Sequence, residues 1–160
     1  MNEETNPKDI SIAQAISFMR SNRPLRAEEL CRDYLSKNPG CTEHLRLLSH
    51  ALMKQNRLTE AEEKLRFAIS LSPNYPQLHE DLGSVFAMQS RFDEAIPELE
   101  KAIQLQPALP LAHKKLGQAL AAVGRGKEAD EEFQIYIDSD TNREAVIKAA
   151  DLLNEERTEE

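Results

Sequence analysis

The stretch Leu78–Pro107, LHEDLGSVFAMQSRFDEAIPELEKAIQLQP, carries two apolar stripes at helical spacing on either side of a polar break, QSR. Residues three and four apart share one face of a helix, so each stripe is the buried side of one helix and the break is the turn between them. The same sentence recurs in both directions. Alanine stands at Ala27, Ala61, Ala95 and Ala129, each 34 residues from the last, and Pro39, Pro73 and Pro107 keep that interval. Leu48, Leu82 and Leu116 are followed by the small residues Ser49, Gly83 and Gly117, and large apolar residues return at Phe18, Leu52, Phe86 and Leu120. A fixed period of this length signals stacked supersecondary units rather than one folded-back core.

Residue type assigns a role to each recurring position. A small residue in the middle of the first helix lets a second helix approach closely, and the alanine early in the second helix does the same from the other side. Phe86 and Leu99 fill the remaining space. The proline after each second helix cannot continue it and redirects the chain. Every unit is therefore two antiparallel helices and a turn, and the fold class expected is all-α, a solenoid of four helix pairs. Two prolines fall inside the pattern. Pro24 sits near a helix start, where a missing N–H costs little, whereas Pro97 lies about a turn further in and is a candidate for bending its helix.

Composition agrees with this reading. The 160 residues are 40% apolar and 30% charged with 5% aromatics and no Trp, a balance that favours soluble helical structure. The formal charge of −8 argues against general nucleic-acid binding, which needs a clustered cationic surface. No apolar run approaches the roughly 18 residues of a membrane span, and MNEETNPKDIS lacks the pattern of a secretory leader. No membrane association is expected, and the cytoplasm is the default location.

The pattern resembles the tetratricopeptide repeat. Leu82, Gly83, Phe86, Ala95, Leu99, Ala102 and Pro107 occupy the family's signature positions in a single unit. The resemblance implies one domain over 1–160, a right-handed α-solenoid with repeats at 8–41, 42–75, 76–109 and 110–143. The first repeat departs from the pattern at Gln14 and Ala15, and the fourth has Thr141 in place of proline. Terminal units lack a neighbour on one side and are commonly atypical. His79 and His113 take the place where the family often has Trp, which suggests a packing role.

After Asp140, TNREAVIKAADLLNEERTEE opens in capping-box spacing with Thr141 and Glu144, then puts Val146, Ala149, Ala150 and Leu153 on one face. A ninth helix is expected over about 142–156. NEERTEE is similar to QNRLTEAEE at Gln55–Glu63, so this helix is either a cap or the start of a truncated fifth repeat. More narrowly, the runs AEELCRDYLSKNP, HEDLGSVF, KLGQALAAVGRGKEADEEF and KAADLL resemble the N-terminal repeat region of bacterial tetratricopeptide-sulfotransferase fusion proteins. That resemblance implies a catalytic domain elsewhere, because no phosphate-cradling Gly/Ser/Thr loop follows a strand here.

No catalytic, cofactor or metal site is expected. His79 and His113 recur at the repeat interval, and His44 and His50 lack the spacing of a helical zinc pair. GRG at Gly124–Gly126 lies between helices, and the acidic runs are solvated faces rather than general acids. Cys41 fits no paired-cysteine motif, and Cys31 occupies the slot of Leu65, Leu99 and Phe133, so it is a core thiol.

A stack of helix pairs has a concave face, lined in this family by the first helices. The resemblance places there Ile12, Ile16, Met19 and Arg20; Arg46, His50, Met53 and Lys54; Glu80, Ser84, Ala87 and Met88; and Lys114, Gln118, Ala121 and Ala122. The expected partner is a protein or peptide segment. Arg46, His50 and Lys54 follow one another by four residues and are read as a cationic ridge, against the alternative of a solvated helix face. Co-chaperone arrays that clamp acidic C-terminal tails use cations and asparagines where this chain has Arg46, His50, Asp81, Leu111 and Lys115. Asp81 repels a carboxylate and Leu111 cannot bind one, so the clamp is excluded. The expected function is a non-catalytic protein interaction scaffold; the alternatives are an accessory region of a sulfotransferase or a small acidic secretion chaperone.

Overall fold

Helix ends in this chain are set by three local devices. Proline opens four of the helices, at Pro7, Pro24, Pro76 and Pro110, where its fixed φ suits a first turn and its missing N–H would be unpaired anyway. Within each pair the turn passes through one residue with positive φ: Asn22 at 55°, Asn56 at 58°, Ser90 at 58° and Gly124 at 83°. After each pair, Asn38, Ser72 and Gln106 are held near φ −135° to −142°, because the proline that follows each excludes the helical region. The resulting computed structural model describes residues 6–139. Its helices are α1 (Pro7–Arg20), α2 (Pro24–Lys37), α3 (Thr42–Lys54), α4 (Leu58–Leu71), α5 (Pro76–Met88), α6 (Phe92–Leu105) and α7 (Pro110–Ala122). An eighth, α8, is helical over 126–139. There is no strand among the described residues. The helix expected near 142–156, with Ala149, Ala150 and Leu153, lies outside them.

The helices stack as α1/α2, α3/α4, α5/α6 and α7/α8, each second helix also packing on the first helix of the next pair. This is the helical-repeat solenoid anticipated from the period. α6 runs unbroken through Pro97, whose ring sits on the exposed side. Proline has no N–H to donate to the carbonyl of Asp93 one turn earlier, and Asp93 is itself an exposed residue.

Close approach of paired helices is visible at the small residues. A Cβ on Gly83 would lie 2.7 Å from Leu99 Cγ and 3.2 Å from the Ala95 carbonyl oxygen. One on Gly117 would lie 2.8 Å from the Phe133 ring. Ala27, Ala61 and Ala95 are wholly buried, and so are Cys31, Leu65 and Leu99 one turn later. Burial pushes the Cys31 thiol up to about 12, so it is an inert core side chain. The first pair shows what an end costs. Ile10 is 44% exposed, while its counterparts His44, Leu78 and Ala112 are fully covered by a preceding pair. At the next such position Gln14, exposed, replaces the buried Leu48, Leu82 and Leu116, which makes that face wettable.

Arginine supplies a second joint that the recurrence of alanine and proline had overshadowed. Arg23, Arg57, Arg91 and Arg125 stand 34 residues apart, each just before a second helix. Arg57 donates to both oxygens of Glu28 in the preceding pair at 2.9 and 2.7 Å, and to Glu60 in its own helix. Arg91 repeats this with Glu62 and Glu94, and its guanidinium lies 4.5 Å from the centre of the Phe86 ring. Burial alone would raise the Glu28 and Glu62 carboxyls, but their arginine partners, with Gln55 at Glu28, hold both below the ordinary range. Ile96 stands where Arg125 would find the corresponding carboxylate, and among the described residues Arg125 pairs with Glu128.

Gly83→Ala is therefore expected to destabilise the protein by about 1–3 kcal/mol through overpacking, less the roughly 1 kcal/mol that alanine gains over glycine in a helix. Gly126→Ala, with open space around its Cβ, lacks the clash. Thermal denaturation followed by circular dichroism should show a lower Tm for the first variant and an unchanged or higher one for the second.

Candidate functional site

The first helices α1, α3, α5 and α7 form the face that carries the residues singled out in the sequence, and charge on this face is arranged across the pairs. Arg46 Nε in α3 donates to Asp81 Oδ2 in α5 at 2.7 Å, and His50 Nε2 lies 2.8 Å from the same oxygen. One unit on, Lys115 in α7 donates to Glu80 Oε1 in α5 at 2.5 Å. Both contacts link residues 35 apart in sequence, with the sign of the charges reversed. The equivalent position between the first two pairs holds Leu47, part of the core cluster, and Ile12, packed against it.

The reading of Arg46, His50 and Lys54 as one cationic ridge is accordingly corrected. Spacing by four residues does place them along one side of α3, but the nearly buried Asp81 draws the first two together and neutralises their surroundings. Burial alone would push the Asp81 carboxyl up; the hydrogen bond and charge of His50, with those of Arg46, outweigh it and hold the group below its usual value. Lys54 is exposed and makes no ion pair among the described residues. Arg20, one unit back, is alike in both respects. Each stands in the last turn of its helix, where a cation is favoured by the carbonyl end of the helix dipole.

The other positions separate by burial. Ile12 and Ile16 are half-buried against the core, and Glu80 is only 7% exposed. The Ser84 hydroxyl donates to the Glu80 carbonyl at 2.8 Å. Met19 and Met53 are half-buried, Met88 is 50% exposed, and Gln118, Ala121 and Ala122 are exposed. Lys114 places its Nζ 5.3 Å from the centre of the Tyr136 ring of α8, a cation–π contact. Methionines and alanines therefore share this face with exposed cations on α1 and α3.

The histidines have structural partners. His79 Nδ1 is 2.7 Å from Glu98 and its Nε2 2.8 Å from the Pro73 carbonyl oxygen. His113 repeats the arrangement with Glu132 and Pro107 at 2.6 and 2.9 Å. Each ring thus ties a first helix to the turn before it and to its own second helix. His44 is fully buried, stacked on Tyr34 at 3.8 Å and bonded to Cys41 and Ser11. Burial holds its imidazole below the usual value, toward the neutral form.

Known proteins match this arrangement. The family model described as Tetratricopeptide repeat matches residues 12–76, 47–110 and 80–144. Among solved structures, a crystal structure of MamA superposes with a TM-score of 0.75 at 22% identity, covering 89% of this chain and 83% of that one. MamA from Desulfovibrio magneticus gives 0.73 at 18% identity, covering 88% and 78%. These two likenesses show the fold alone. A mutant O-GlcNAc transferase of Thermobaculum terrenum gives 0.66 at 28% identity over 72% of this chain, but only 23% of the transferase is covered. No curated protein matches the sequence.

The depressed Asp81 carboxyl fixes the sign of a pH effect. A group whose pKa is lower folded than unfolded stabilises above its unfolded value, and that contribution is lost as pH falls through the folded one. Asp81→Asn is expected to cost about 1–3 kcal/mol at neutral pH. The gap in Tm between variant and wild type should then narrow as the pH is lowered past about 4, which a series of melts across that range measures.

Proposed function

The chain belongs to the tetratricopeptide repeat family, and from that premise we propose that it is a protein interaction scaffold whose first-helix face holds a peptide or protein segment. Helical-repeat solenoids of this kind present extended surfaces to partner proteins. The observation that supports the face as the ligand surface is the division of labour on it. Asp81 and Glu80 bind Arg46, His50 and Lys115 into contacts between units. Arg20 and Lys54 remain exposed next in sequence to Met19 and Met53, and Met88 takes the place of Lys54 one unit on. Methionine is unbranched and polarizable and adapts to differently shaped apolar side chains, and unpaired cations in an acidic protein select for negative charge nearby. The ligand this face fits best is an acidic segment with one or two apolar anchors. No helix among the described residues is long and apolar enough to cross a membrane.

A second reading keeps the array as the accessory region of a sulfotransferase. It rests on the sequence runs AEELCRDYLSKNP and KLGQALAAVGRGKEADEEF, with the catalytic domain supplied beyond this segment. Under that reading the same face presents substrate protein to the appended enzyme. The mass of the endogenous protein, from an immunoblot of source cells, separates the two readings: a product much larger than 18.1 kDa supports the fusion.

A peptide library displayed on phage tests the face itself. Selection on the wild-type protein should enrich acidic sequences with apolar residues, and their binding should weaken with salt, because exposed charges are screened over about 8 Å at physiological ionic strength. Arg20→Gln combined with Lys54→Gln should lose the selected peptides while keeping helicity and nearly the whole Tm, since neutral exposed substitutions of this kind change stability by about 0.5 kcal/mol or less each. Lys101→Gln on the exposed side of α6 is the control. Loss of binding in the control with retention in the double variant would refute the assignment.

A further inference from the structure

The opposite side of the solenoid holds two furrows built on the same plan but lined by opposite charge. The first lies between the second helices α2 and α4, with Leu45 and Leu48 of α3 beneath it, and has a volume of about 290 Å³. Arg32 and Lys64 are the charged residues that line it, and Phe67 stands at its edge, 46% exposed. The second, about 330 Å³, lies two repeats on, between α6 and α8. Glu100 replaces Arg32 and Glu132 replaces Lys64 in register, and Glu128 and Glu131 join them. Among the described residues no cation lines the second furrow and no carboxylate lines the first.

Part of this charge is already engaged: Arg32 is paired with Glu28 and Glu60, Glu128 with Arg125, and Glu132 with His113. Lys64, Glu100 and Glu131 make no ion pair among the described residues. Large apolar side chains are also left uncovered beside them: Phe67 and Leu71 share one side of α4, and Ile135, one turn beyond Glu131 on α8, is 46% exposed. An apolar furrow with a basic rim needs an apolar ridge with acidic flanks, and α8 carries that combination.

We propose that this surface joins copies of the chain: α8 of one molecule lies along the α2/α4 furrow of the next, with Ile135 beside Phe67 and Glu131 facing Lys64. The contact joins two different surfaces, so each molecule has one furrow and one ridge to offer and the association is head-to-tail. This interface lies on the second-helix side and stands independently of the ligand face proposed above.

Reciprocal charge reversal tests the proposal on the full chain by sedimentation equilibrium, with circular dichroism to verify folding. The wild type should gain weight-average mass with concentration, and the gain should diminish as salt is raised. Lys64→Glu and Glu131→Lys should each weaken association at least tenfold and sediment as monomers. Their equimolar mixture offers the native pairing at one junction, the ridge of the Lys64→Glu molecule on the furrow of the Glu131→Lys molecule, and the same pair with its charges exchanged at the next. The mixture should therefore associate again, reaching at least the mass of a dimer. A monomeric wild type, single variants that associate like the wild type, or a mixture that stays monomeric would each overturn the proposal.

Discussion

Everything in this chain depends on how closely two helices of a pair can approach, and that distance is set where Gly83 faces Leu99 and the Ala95 carbonyl. Without a side chain at Gly83, the backbone of α5 comes within van der Waals reach of the leucine on α6. Once that contact is fixed, the next pair meets the same surface in the same orientation, because the same small residues return 34 positions later. The core is consequently a line of similar contacts rather than a centre. Exposure of Ile10, at a position buried in every later pair, is the direct consequence of a line having ends.

Packing of that kind is non-directional and needs a device to hold successive pairs in register. Polar joints on two sides serve this purpose. Arg57 and Arg91, poised at the starts of α4 and α6, each reach back to a carboxylate of the preceding pair, where a bidentate or shared guanidinium contact fixes angle as well as distance. On the first-helix face, Arg46 with Asp81 and Lys115 with Glu80 do the same. Charges that look in sequence like a solvated or ligand-binding pattern are therefore partly structural. The number left over for a partner is smaller than the number present.

Helix pairing was legible in the sequence because the positions that enforce it admit few residue types. Gly83 and Gly117, the buried alanines and the chain-redirecting prolines all announce themselves by kind and by spacing. The histidine positions were legible as packing positions for the same reason, though the bridging of Glu98 and the Pro73 carbonyl by His79 needed coordinates. The joint through Arg23, Arg57, Arg91 and Arg125 was present in the sequence at the same period, but a charged residue at a turn has many explanations. Only the acceptor carboxylates 29 residues earlier give it meaning. Asp81 shows the same limit more sharply. Its neighbours in sequence say nothing of Arg46, whereas the stacking of units puts position 46 beside position 81 and converts part of an apparent cationic ridge into a neutral joint. Long-range pairing of charges is decided by the solenoid's stagger, and the stagger is read from the packed structure.

How many cations the first-helix face leaves free depends on whether Arg46 and Asp81 act together as a joint between pairs. A double-mutant cycle with Arg46→Met and Asp81→Asn, measured by urea denaturation at neutral pH, isolates that coupling from each residue's separate effects. A coupling energy above about 1 kcal/mol is the predicted result, since the two side chains form a charge-assisted hydrogen bond at a largely buried carboxylate. Effects that add to within about 0.3–0.5 kcal/mol, the range seen for independent sites, would contradict such a joint and return Arg46 to the set of cations available for a ligand.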